Sequence, residues 1–144
     1  MAVHSVTSHF KVKDMLSKTP CDVRADSYCA DGTIAKARGD AIKLIMAGGH
    51  CHSPHCISLE LFNDDTGELI CRITPVRGSS DATYDEDGYL WLPPCQWSEH
   101  DPRLPPPPVL PLEANLVTIK RANSSVYHYG VMGIWQMRGA YLSV

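Results

Sequence analysis

Cys56-Ile57-Ser58-Leu59-Glu60-Leu61-Phe62-Asn63-Asp64-Asp65-Thr66-Gly67-Glu68-Leu69-Ile70-Cys71-Arg72-Ile73 decides the fold class of this chain. In the first arm Ile57, Leu59 and Leu61 alternate with Cys56, Ser58, Glu60 and Phe62. That period of two belongs to a strand and not to a helix. In the second arm Leu69, Cys71 and Ile73 share one face. Between them, Asn63 to Gly67 are turn formers, and Gly67 is free to take the left-handed conformation that closes a short hairpin loop.

The same pattern extends in both directions. Val3, Phe10 and Val12 alternate loosely between Ala2 and Lys13, as in an edge strand, and 13–18 allows one helical turn before Pro20. Gly39 interrupts any helix over 33–47, so Ala41 to Met46 is read as a buried strand. Gly88 to Leu92 reads as another strand, ended by Pro93-Pro94. Asn115–Lys120 and Val126–Tyr129 frame Arg-Ala-Asn-Ser-Ser as a second hairpin, and Val131 to Leu142 holds one or two core strands. Residues 98–111 contain four consecutive prolines, Pro105 to Pro108, expected as a stiff polyproline crossover between sheets. Short strands with little helix predict one all-β domain over 1–144, an antiparallel β-sandwich or a small jelly-roll barrel.

Composition narrows the function classes. The chain has 144 residues, is 44% hydrophobic and carries a net charge near −3. It lacks the basic stripe of a nucleic-acid surface. Its longest apolar stretch, Ile42 to Ala47, contains Lys43 and is too short for a membrane span. Met1-Ala-Val-His-Ser opens the chain without a basic and then apolar leader, which fits a cytoplasmic protein or a mature secreted form. No serine-hydrolase elbow, phosphate loop or dinucleotide fingerprint is present, so no catalytic residue is assigned.

The most conspicuous chemistry lies in Gly48-Gly49-His50-Cys51-His52-Ser53-Pro54-His55-Cys56. Imidazole and thiolate are ligands for zinc, copper or iron. On an extended strand His50 and His52 point the same way. His55, Cys56, His100 and His128 are candidate further ligands. The competing reading joins Cys51 or Cys56 to Cys71 or Cys95 in disulfides and leaves the histidines in solvent or bonded to the loop.

The tract and its surroundings resemble the cupin family. Its first motif is approached by His50-x-His52, Glu60 and Gly67, and its second by Gly88-Tyr-Leu-Trp-Leu-Pro-Pro94 and His100. The resemblance implies a metal inside a β-barrel, but its spacings depart from the pattern. Seven residues separate His52 from Glu60 where the family has three or four, Gln96 replaces a glycine, and His100 comes one residue late. The chain is not assigned to that family.

Other positions bear on partners. Trp97 lies in a polar stretch and is the aromatic expected to be exposed for a glycan or protein partner, whereas Trp91 and Trp135 are expected in the core. Asn123-Ser124-Ser125 is a glycosylation sequon, relevant to a secreted chain. Asp81, Asp85, Glu86 and Asp87 form an acidic loop, read as solvated surface. Homo-oligomerisation is left open. Two functions emerge: a metal-binding β-domain that is a candidate metal-dependent enzyme, or a disulfide-stabilised extracellular binding or assembly module.

Overall fold

Alternation along 56–73 becomes two antiparallel strands, β3 (Cys56–Asn63) and β4 (Leu69–Ile73), in a computed structural model. The structure describes residues 2–15, 39–52, 55–78, 90–125 and 132–142. Gly67 takes a φ of 73°, its N–H donates to the Asn63 carbonyl at 2.8 Å, and the Asn63 N–H donates to Glu68 O at 2.9 Å. The loop is tied down from outside. The Asp65 carboxylate accepts the Asn115 N–H at 2.9 Å and its Nδ2 at 2.7 Å, bonds that hold Asp65 below the usual carboxylate range.

Two further long strands complete this sheet. β1 (Val3–Lys11) is an edge strand, as its sequence predicts, and it pairs with β9 (Asn115–Asn123), which also pairs with β3. The order is β1-β9-β3-β4, antiparallel throughout. A 3-10 turn over Val12–Met15 follows β1. Arg121, Ala122 and Asn123 prove to be strand and not hairpin loop, because β9 has a partner on each side. The expected second arm, 126–129, lies outside the described residues.

The second sheet is built on β2 (Ala41–Cys51). On one side β2 pairs with β10 (Gly133–Leu142), and it also pairs with β7 (Cys95–Gln96) and β8 (Val109–Pro111). The proline-rich connection therefore starts and ends on β2's own sheet and does not cross between sheets, and Pro108 O accepts the Leu44 N–H at 3.0 Å. A small ribbon joins β5 (Val76–Arg77) to β6 (Leu90–Trp91). Among the described residues there is no α-helix.

The sheets pack face to face as a β-sandwich. Leu61, Cys71, Ile73 and Leu116 from one meet Ile42, Leu44, Ala47 and Leu110 from the other. Leu59 and Leu61 are 1% and 0% exposed, and burying each such side chain stabilises by about 1.5–3 kcal/mol. A register shift at Leu61/Phe62 explains why Leu69 is exposed although Cys71 and Ile73 are buried. Ile134 is likewise exposed, since the inward positions of β10 fall to Trp135 and Met137. Cys71 and Cys95 form a disulfide, with Cα atoms 6.0 Å apart, that joins β4 of one sheet to β7 of the other.

Candidate metal centre

The end of β2 is pressed against the opposite sheet, and glycine makes this approach feasible. A Cβ on Gly49 would lie 2.8 Å from Leu59 Cδ2 and 2.9 Å from Ile73 Cδ1, closer than real contacts allow. Gly49 thus faces inward, and so does Cys51, which is buried. Alternation then turns His50 outward, where it is exposed opposite Ile134 of β10.

His52 follows on the same side. The His50 and His52 ring centroids are 5.2 Å apart, with planes at 89°. Two features fix the backbone beneath them. The Cys56 N–H donates to His52 O at 3.2 Å, and Cys51 is bonded to Cys56 with Cα atoms 6.0 Å apart. The tract is where the chain leaves the β2 sheet and enters β3 of the other, so this disulfide staples the crossing.

A buried lysine supports the same corner. Lys120 is 3% exposed, and its Nζ donates to Met132 O at 2.6 Å, just before Gly133, which pairs with Cys51. A Cβ on Gly133 would meet Lys120 Cδ at 3.3 Å, so the lysine stem runs directly beneath that glycine. Desolvation pushes the Lys120 ammonium below its ordinary value. Its alternation with Leu116 and Ala122 along β9 was the sequence signal for an inward lysine.

The remaining candidates scatter. Cys56 is tied in a disulfide and offers no thiolate, which corrects its reading as a ligand; the tract cysteines pair with each other and not with Cys71 or Cys95. His55 is buried at 2% exposure, and its carbonyl accepts the Asn123 N–H at 2.7 Å. His100 lies exposed in the β7–β8 connection, its N–H donating to Ser98 Oγ at 3.0 Å. His128, like the acidic loop from Asp81 to Asp87, lies outside the described residues. Glu60 faces away on the far side of the sandwich, so the cupin-like grouping of His50, His52 and Glu60 does not form. Among the described residues no three His, Cys, Asp or Glu side chains gather around one point.

Trp91 and Trp97 exchange their expected places, whereas Trp135 packs against the core as expected. Trp97 is 8% exposed in the core, drawn in as its N–H donates to Ile45 O at 3.0 Å beside β7. Trp91, on the two-stranded ribbon, is 56% exposed. Trp135 packs against the core and donates its Nε1–H to Thr118 Oγ1 at 2.8 Å across the sheets. Asn123 ends β9, its Oδ1 accepting the Ser125 N–H at 3.0 Å. No family model matches this chain, and no curated protein or solved structure matches it either.

Proposed function

We propose that this chain is a disulfide-braced β-sandwich that binds a transition metal ion, zinc, copper or iron, through His50 and His52. The observation that carries the reading is the placement of the two imidazoles. A metal bound about 2.1 Å from a ring nitrogen sits about 3.2 Å from that ring's centroid. Two rings on one ion therefore have centroids no more than about 6.4 Å apart, and the observed 5.2 Å falls within that reach. Water would fill the other positions. A metal with such open positions supplies Lewis-acid chemistry and a bound water of lowered pKa.

The test is metal analysis of untagged protein, wild type against His50→Ala/His52→Ala, with melting curves after adding Zn²⁺, Cu²⁺ or Fe²⁺. The wild type should bind one ion and melt at a higher temperature, and the double variant should do neither. Acid should release the ion, because a protonated imidazole has no lone pair to donate. Equal metal content in both proteins would remove the reading.

One observation favours a second reading, an extracellular module that contacts a glycan or protein. Trp91 presents an indole at 56% exposure on a chain with two disulfides among its described residues, bonds that persist in oxidising compartments. Trp91→Ala should abolish binding on a glycan array if this surface is used. Unchanged binding would dismiss Trp91 as the platform.

A further inference from the structure

The sheet face opposite the histidines carries a second arrangement. Leu59 and Leu61 point into the core, so Glu60 between them points out, yet its side chain is only 7% exposed. Two arginines cover it. Arg72 Nε lies 3.3 Å and Arg121 Nε 3.5 Å from the same Glu60 oxygen, Oε1, which also accepts Ser58 Oγ–H at 3.3 Å. The register explains the convergence. Arg72 is directly across from Glu60 on β4, and Arg121 sits across from Ser58 on β9.

The charges do not balance, since one buried carboxylate faces two guanidinium groups. Each guanidinium approaches Glu60 through its Nε, while the arginine side chains remain 54% exposed at Arg72 and 41% at Arg121. Arg121 Nη1 makes a long contact of 3.4 Å to Ser5 Oγ, and no described residue bonds the Nη atoms of Arg72. Glu60 therefore acts as a shared anchor that fixes two forks side by side. A planar fork matches the paired oxygens of an oxyanion, and holding it in advance lowers the ordering cost of binding.

We propose that Arg72 and Arg121 form a binding site for a tetrahedral oxyanion, a sulfate or phosphate group. Glu60 positions the site and does not touch the ligand. The two arginines approach from β4 and β9, the strands that flank β3 on either side, and engage different oxygens of one tetrahedral group.

The experiment follows the arginine Nε–H resonances of the wild-type protein by NMR during titration with inorganic phosphate and, separately, sulfate at constant ionic strength. Saturable shifts at Arg72 and Arg121, with none at Arg138 on the other sheet, are expected, and the tighter titrant identifies the preferred anion. Arg72→Gln should weaken binding about tenfold, the loss of one charge-assisted hydrogen bond. If that variant fails to fold because Glu60 loses a partner, Arg72→Lys keeps the charge without the fork and should still bind more weakly. Shifts that do not saturate, equal shifts at Arg138, or wild-type affinity in the folded Arg72 variant would overturn the proposal.

Discussion

The two disulfides among the described residues have the same Cα separation, 6.0 Å, and opposite surroundings. Cys71–Cys95 closes a separation of 24 residues, is buried at Cys71, and joins one sheet to the other through the middle of the core. Cys51–Cys56 closes only five residues at the rim, beneath two outward imidazoles. In the chain-entropy account the stabilisation grows with the length of the closed loop. The difference teaches that the inner bond holds the sandwich, whereas the outer one shapes a local surface. Each can therefore be broken with a distinct result.

The largest effect is expected from Cys71→Ala/Cys95→Ala. Urea unfolding should show a loss of about 3–4 kcal/mol. Metal uptake by the protein that remains folded should be retained. If uptake falls as far as stability, the division between the bonds is wrong.

Cys51→Ala/Cys56→Ala should cost less, about 2 kcal/mol by the same model, and should weaken metal uptake sharply. The reason is geometric, since the turn from His52 to Cys56 then rests on one backbone hydrogen bond of 3.2 Å. Isothermal titration of the metal into this variant checks the point, and wild-type affinity would show that the staple does not set the imidazole spacing.

Gly49→Ala probes the floor of the same corner. The added methyl must displace Leu59 and Ile73 side-chain tips, for about 1 kcal/mol, and should also disturb the neighbouring His50. A melting curve superimposable on the wild type would mean that the two sheets yield easily here.

The smallest effect is expected at Lys120, whose ammonium is held below 10.5 by burial. Between its folded value and 10.5 the unfolded chain binds more protons, so stability should rise with pH through that window. Below the window the desolvation cost is fully present, and above 10.5 it is gone. Lys120→Met should lose this alkaline rise relative to the wild type while staying within about 1 kcal/mol of it at neutral pH. Parallel curves for the two proteins between pH 8 and 10.5 would sink this reading.

Local periodicity made the hairpin over 56–73, the edge strand near the N-terminus and the strand at Ala41–Met46 legible, because each depends on neighbours in sequence. What failed depended on distant partners. Asn115 to Asn123 reads as half a hairpin until β1 and β3 claim both its edges. Cysteine pairing escaped the sequence because it is set by how β4 and β7 face each other across the core. The exchange between Trp91 and Trp97 has the same origin. A polar neighbourhood in sequence does not reveal that the Trp97 backbone bonds to β2 and carries its indole inward. His50 and His52 were readable as a same-side pair from strand period alone, whereas Glu60 and its two arginines come from three different strands and no local motif announces them.

The proline run has a consequence for how this fold can grow. Away from β10, β2 is occupied by two residues of β7 and by β8, whose last residue is Pro111, and Pro108 supplies the carbonyl that receives Leu44. A prolyl nitrogen has no hydrogen to donate, so a strand arriving on that side meets a ladder with missing rungs. Across the sheet, β10 offers ten residues whose only strand neighbour among the described residues is β2. Among the described residues the edge open to an added strand is therefore β10, and the prolines disfavour extension on the opposite side.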